Sequence, residues 1–222
     1  MFVPLLALGA ASGITLILLL VWTRLRPELR FWPTPRPWSW QGIVFWSLFR
    51  ILNLGAIAVA LLDWHDWTGL SPDRLAGVAL ALAGAALYGV AVHALGRGNL
   101  YCGKEGLVTG GVYGWTRNPQ YAAAIPAYLG LALASQSLAA LALAMLLALT
   151  FVLMALAEEP WLESAYGEEY RAYRQQVARF YNWRRGLALL TAAQARKRAA
   201  ASFAAFPVRH ERSATQHSSR AP

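Results

Sequence analysis

The sequence predicts an all-α fold, a polytopic integral membrane helical bundle of about five transmembrane helices with an amphipathic helix towards the C-terminus. Of its 222 residues, 57% are hydrophobic and only 14% are charged, whereas about a quarter are charged in soluble domains. Several apolar runs reach the roughly 20 residues that a helix needs to cross a bilayer. Basic residues concentrate in the segments that flank these runs. The length suits one compact bundle.

Apolar runs define the transmembrane helices in order. The first run has no basic residues before it, so we expect a retained helix and not a cleaved signal peptide. Four prolines in the linker 24–38 prevent that helix from continuing. Trp32, Trp38 and Trp40 stand near the next boundary and are expected to be interfacial aromatics. Small residues in the third run, among them Gly77 and Gly84, predict close helix contact. The predicted spans are residues 2–23, 39–62, 73–95, 119–135 and 138–157.

The charges of the loops predict the orientation. Loops 24–38 and 96–118 and the C-terminal segment are basic, whereas the loop 63–73 is acidic. Short basic loops mark the cytoplasmic side of a membrane protein. We therefore expect the N-terminus outside, the C-terminus in the cytoplasm, and the protein in the plasma (inner) membrane.

Three regions follow along the chain. Residues 1–95 form a three-helix transmembrane region, and residues 96–183 form a core with a motif-bearing loop, a helical hairpin and an amphipathic helix. In that last helix, apolar residues recur at steps of three and four from Leu162 to Phe180, and Gly167 is expected to bend it. The basic segment 184–222 has no sustained apolar face, so we expect it to be disordered.

Composition excludes several classes of function. The net charge is +9, but no basic stripe interleaves with exposed aromatic residues, so nucleic acid is not an expected partner. Cys102 is the only cysteine, which excludes an internal disulfide and a metal site built on thiolates. We expect no metal, and the lipid bilayer as the main surrounding.

The stretch 106–121, GLVTGGVYGWTRNPQY, is the most informative part of the chain. Taken alone, Arg117-Asn118-Pro119 is a favourable helix start, with Asn118 as its N-cap. A helix N-terminus beside an arginine can also bind an anion such as a carboxylate. Tyr113 and Tyr121 can add aromatic faces or hydroxyl groups to the same pocket.

Two adjacent acids, Glu158 and Glu159, follow the last span. Either both face water at the end of the helix, or one points into a cavity and binds a ligand there. Arg50 and Asn53 are unusual within the second span and can line such a cavity. Arg179 is either a surface charge or a group that reaches back to the site.

The motif T-x-G-x-Y-x-x-x-R-N-P-x-Y, followed after a hairpin by E-E-x-x-L and a Tyr-rich helix, resembles the isoprenylcysteine carboxyl methyltransferase and phospholipid methyltransferase superfamily over about residues 96–183. The resemblance implies direct methyl transfer from S-adenosylmethionine to a lipophilic or membrane-associated acceptor. Glu158 and Arg117 are the expected catalytic residues. The positions implied to bind the cofactor are Leu107, Val108, Tyr113, Asn118, Pro119, Gln120, Tyr121 and Glu158.

Two departures from the isoprenylcysteine enzymes concern the acceptor. Asn118 stands where those enzymes have His, and Met154 stands where they have an Arg linked to the substrate carboxylate. The carboxylate, amine or hydroxyl nature of the acceptor therefore stays open. Two other hypotheses remain: a related membrane reductase that uses NADPH, and a non-catalytic membrane accessory protein.

Overall fold

The computed structural model describes residues 2–26, 28, 30–36, 38–64, 69, 71–101, 103 and 105–181. The segment 184–222, which we expected to be disordered, lies outside these residues. Throughout the described part, regular secondary structure is helical, which confirms the predicted all-α class. The helices are α1 (Phe2–Leu25), α2 (Trp40–Leu62), α3 (Pro72–Leu95), the short α4 (Arg97–Leu100), a 3-10 turn (Gly111–Gly114), α5 (Pro119–Ser135) and α6 (Leu138–Gln176).

Four helices, α1, α2, α3 and α6, are long and apolar enough to cross a membrane. The remaining predicted span, α5, has 17 residues, so its length of about 25 Å is at the lower limit for a transmembrane helix. A tight turn joins α5 to α6, with Gln136 in the left-handed conformation at φ 54°. The helices of the predicted hairpin are therefore antiparallel, and the membrane-bundle architecture is confirmed.

The end of the last span differs from the prediction. We expected the span to stop at residue 157 before a separate amphipathic helix, but α6 continues through Pro160. The break comes instead at Gly167, whose φ of 55° and ψ of −125° are not helical. Such a positive φ favours glycine, and the bend predicted at this residue is present. Glu158 thus lies within a continuous helix that extends past the apolar segment.

Helices α3 and α5 pack through small residues. A Cβ atom added at Gly77 would lie 2.4 Å from the backbone nitrogen of Ala134, and one added at Gly84 would lie 2.8 Å from the carbonyl oxygen of Ala123. Only glycine allows backbones to approach this closely. The close helix contact that the sequence predicted at these two glycines is therefore present.

The linker between α1 and α2 folds inwards. Phe31 and Trp32 are buried, and the Trp32 ring stacks on Phe45 of α2 with the centroids 4.0 Å apart. We expected Trp32, Trp38 and Trp40 to be interfacial aromatics. Trp38 and Trp40 are exposed, but Trp32 is 3% exposed. The linker is therefore packed against α2.

Candidate functional site

A cavity of about 480 Å³ lies between the inward-folded linker, α2, α3, residues 99–101, 103 and 106–108, α5 and α6. This volume is in the range of small-molecule sites. Eight of the nine residues predicted from the sequence line it, and Pro119, the other one, does not. The eight are Leu107, Val108, Tyr113, Arg117, Asn118, Gln120, Tyr121 and Glu158.

Glu158 is held in the cavity wall by two donors. The indole N–H of Trp32 donates to Glu158 Oε1 at 2.8 Å, and the hydroxyl of Tyr121 donates to the same oxygen. Neither bond uses Oε2, so this second oxygen is available to a ligand in the cavity. Fixed donors on one oxygen also orient the carboxylate, as a binding site requires.

The two adjacent acids have different surroundings. Glu159 does not line the cavity; its Oε1 lies 3.0 Å from Arg117 Nη2. Arg179 also binds Glu159, through Nε to Oε1 at 2.6 Å and Nη2 to Oε2 at 2.8 Å. Both carboxylate oxygens of Glu159 are thus bound by guanidinium groups. Of the two adjacent acids, Glu158 is the one placed to contact a ligand.

Arg117 is a buried cation at the edge of the cavity. Its side chain is 7% exposed, and its Nη1 donates to the hydroxyl of Tyr170 at 3.3 Å. The guanidinium also lies 5.9 Å from the centre of that ring. Its Nε is buried without a hydrogen-bond partner. Buried donors without an acceptor are rare in native proteins.

Residues 177–181, here called the strap, cross the Arg117-Asn118-Pro119 motif. The Arg117 backbone N–H donates to the Ala178 carbonyl at 2.9 Å. The Thr116 hydroxyl and the Asn118 Nδ2 each donate to the Arg179 carbonyl at 3.0 Å. Together with the Arg179–Glu159 pair, these bonds fix the motif against the end of α6. The bonds to Glu159 raise the pKa of Arg179 above its ordinary value, so the pair stays ionised.

Asn118 occupies the predicted N-cap position of α5, but its side chain makes no capping bond to that helix. The amide binds the strap instead. The N-terminal amide groups of α5 are therefore not capped by the side chain of Asn118.

Tyr113 is buried, with 3% of its surface exposed. Its hydroxyl donates to Gln120 Oε1 at 3.0 Å, and its carbonyl accepts a bond of 2.6 Å from the Tyr173 hydroxyl. Burial, and next the negative charge of Glu158, raise the pKa of Tyr113 above its ordinary value. Tyr113 is therefore a neutral hydrogen-bonding group and not a base.

Sequence reasoning missed several residues of the cavity. Trp32 carried no signal, because a tryptophan near a span boundary is common at membrane interfaces. The Tyr170 and Tyr173 rings belong to the helical pattern that we interpreted only as an amphipathic face. Arg50 and Asn53, which we expected to line a cavity, do line it. Throughout the described residues, no group of three or more His, Cys, Asp or Glu side chains is placed to hold a metal ion.

Comparison with known proteins gives a match to a protein family. The family model described as phospholipid methyltransferase matches residues 73–169. This region contains the motif from Leu107 to Tyr121 and reaches past Glu158, whereas α1, the linker and α2 lie outside it. No curated protein and no solved structure matches the chain. Residues 73–169 of this membrane protein are therefore similar to the phospholipid methyltransferase family, which confirms the resemblance found in the motifs.

Proposed function

We propose that the protein is an S-adenosylmethionine-dependent membrane methyltransferase that acts on a lipophilic or membrane-associated acceptor. The observation that carries the proposal is the position of Glu158. Its carboxylate is fixed by Trp32 and Tyr121 in the same cavity wall that holds Arg117 and Tyr113. One cavity thus presents an acid, a cation and aromatic rings. The acid and the cation both lie in the segment that matches a family of methyltransferases.

The residues of the cavity suit this cofactor. Arg117 lines the cavity, and a guanidinium attracts an amino-acid carboxylate through its charge. The free Oε2 of Glu158 suits the ammonium group or the ribose hydroxyls. Aromatic faces such as Tyr121 attract a sulfonium through cation–π interaction, worth about 0.5–2 kcal/mol. S-adenosylmethionine would supply the reactive methyl group on its sulfonium.

The protein's own contribution is alignment and protection from water. Fixing two reactants in the right geometry can lower a barrier by up to roughly 7–11 kcal/mol. A carboxylate acceptor needs no base, whereas an amine or hydroxyl must lose a proton. Glu158 is the group to receive it, because Glu159 is occupied by Arg117 and Arg179. We propose that the cavity opens to the cytoplasm at the motif, as the basic loops suggest.

Ligand binding to the purified protein tests the cofactor. Calorimetric titration with S-adenosylhomocysteine is expected to show saturable binding, whereas NADPH is expected not to bind. NADPH carries phosphate groups that S-adenosylhomocysteine lacks and that require cationic partners. Among the described residues that line the cavity, the cations are Arg50 and Arg117. Binding of NADPH alone would contradict the proposal and favour a reductase. Labelled S-adenosylmethionine with host lipid extract, followed by mass analysis, then identifies the acceptor.

The strap predicts a positioning effect at Arg179. Replacing Arg179 by Gln removes both bonds to Glu159 and loosens the motif. Because Arg179 is partly exposed, we expect a loss of about 1 kcal/mol, or roughly 5-fold weaker binding of S-adenosylhomocysteine in calorimetry. Lys at the same position keeps the charge but not the bidentate geometry, so it should restore only part of the affinity.

Arg171→Gln is the matched control for this change. Arg171 pairs with Glu168 and Glu163 at the surface of α6 and does not line the cavity. Its replacement should leave the affinity unchanged. Equal affinities for Arg179→Gln and the unmodified protein would contradict a positioning role of the strap.

A further inference from the structure

A chain of five aromatic rings connects the two side chains that donate to the cavity carboxylate. The Trp32 ring stacks on Phe45 with the centroids 4.0 Å apart, and Phe45 stacks on Phe49 at 5.6 Å. The series continues from Phe49 to Phe151 at 5.8 Å and from Phe151 to Tyr121 at 5.5 Å. These five rings are here called the aromatic arc. They come from the linker, α2, α6 and α5.

The aromatic arc closes on itself at Glu158. Its two end rings, Trp32 and Tyr121, both donate to Oε1 of that carboxylate. Trp32, Phe45 and Phe151 are each 3% exposed or less, so close packing restricts the orientations of these rings. The position of one oxygen atom therefore depends on packing among four segments of the chain.

The part of the arc that precedes residue 73 lies outside the segment that matches the family, so the family match assigns it no role. Its only contact with the carboxylate is the indole N–H of Trp32. The terminal torsion of a glutamate side chain is broad and weakly restricted on its own. Two donors on one oxygen restrict it, whereas Tyr121 alone would leave the carboxylate freer to turn.

We propose that Trp32 is a positioning residue for cofactor binding and acts through Glu158. The inference rests on the proposed function and deepens it, because it makes the linker between α1 and α2 a part of the cofactor site. The arc holds the indole, the indole N–H holds Oε1, and Oε2 is thereby presented to the cavity in one orientation. The same bond favours the ionised carboxylate, since a donor stabilises the charged form that accepts from it.

Replacing Trp32 by Phe tests this role with a small change in packing. Phenylalanine keeps a ring against Phe45 but lacks the N–H, so Oε1 retains the donor of Tyr121. We expect S-adenosylhomocysteine to bind about 3- to 10-fold more weakly in calorimetry, the range for one lost hydrogen bond. Unchanged affinity would overturn the proposal.

The pH dependence of binding separates positioning from a merely structural defect. Without the indole N–H the protonated carboxylic acid is favoured, so the loss in Trp32→Phe should grow at mildly acidic pH and shrink at mildly alkaline pH. Glu159 is paired with Arg117 and Arg179, so Glu158 is the acid expected to titrate. A structural defect would weaken binding by the same factor at every pH, and that result would refute the inference.

A double variant tests whether Trp32 acts through Glu158. Trp32→Phe combined with Glu158→Gln should bind S-adenosylhomocysteine about as weakly as Glu158→Gln alone, because the charge that Trp32 positions is already absent. Multiplied losses would show that the two side chains act independently, which would contradict the proposal.

Trp40→Phe is the matched control. Trp40 is 67% exposed at the start of α2 and does not line the cavity, so the same substitution there should leave the affinity unchanged. An equal loss in Trp40→Phe and Trp32→Phe would overturn the assignment to Trp32.

Thermal unfolding distinguishes failure of this inference from failure of the proposed function. If S-adenosylhomocysteine binds no form of the protein, the methyltransferase proposal fails, but the bond to Glu158 can still be measured. Because this bond is stronger to the ionised carboxylate, Trp32→Phe should lower the unfolding temperature more at mildly alkaline than at mildly acidic pH. A difference that does not change with pH would refute the role of Trp32 at Glu158.

Discussion

Replacing Glu158 by Gln is expected to weaken S-adenosylhomocysteine binding about 10- to 100-fold, the loss for a hydrogen bond to a charged group. The change is nearly isosteric. The amide oxygen can keep the bonds from Trp32 and Tyr121, which both reach the same carboxylate oxygen. The atom that changes is the free one, where an acceptor becomes a donor and the negative charge disappears. Methyl transfer should fall at least as far.

Comparing two ligands locates the effect within the cofactor. S-adenosylmethionine carries a sulfonium charge that S-adenosylhomocysteine lacks. If Glu158 acts mainly on the ammonium or ribose, both ligands should lose affinity equally. If its charge acts on the sulfonium, S-adenosylmethionine should lose more. Calorimetry with both ligands measures the difference directly.

Glu163→Gln is the control for charge removal on α6. Glu163 pairs with Arg171 and Arg174 and does not line the cavity, so its replacement should leave both affinities unchanged. Unchanged binding in Glu158→Gln would mean that the free carboxylate oxygen meets no cofactor, and the proposed function would lose the observation that supports it.

Local patterns in the sequence were enough to predict the fold class and the neighbourhood of the site. Apolar runs predict helices because the bilayer demands internally satisfied backbone bonds. The motif around Arg117 and the acid at Glu158 carry their own chemistry in their residue types, and the cavity does contain both. The bend at Gly167 was also predictable, since glycine permits conformations that other residues avoid.

Contacts between distant segments were not predictable. Trp32 lies 126 positions before Glu158, and nothing local distinguishes it from Trp38 or Trp40. Asn118 was interpreted as a helix cap from local preference, but the strap offers its amide a carbonyl from residue 179. Tertiary partners overrode local propensity in both cases. Local propensity also failed to predict that α6 continues through Pro160, because a proline weakens a helix without always ending it.

Gly130→Leu is expected to prevent stable folding of the bundle. A Cβ atom at Gly130 would lie 2.5 Å from the Ala81 nitrogen and 2.7 Å from the Gly77 carbonyl oxygen. Both are backbone atoms, so a rotamer change cannot relieve the clash, and α3 must move away from α5. We expect a loss of at least about 3 kcal/mol, the upper end for overpacking. Thermal unfolding in detergent, followed by circular dichroism, measures it.

Gly89→Leu provides the matched control on α3, because a Cβ atom there meets nothing within 4 Å. That variant should unfold at nearly the original temperature. If the unfolding temperatures of Gly89→Leu and Gly130→Leu fell equally, the cause would be the loss of a glycine and not the helix contact. The consequence should extend to the site. Tyr88 of α3 lines the same cavity as Arg117 and Asn118, and α3 packs against α5, which begins directly after Asn118. Gly130→Leu should therefore also abolish S-adenosylhomocysteine binding, although Gly130 does not line the cavity.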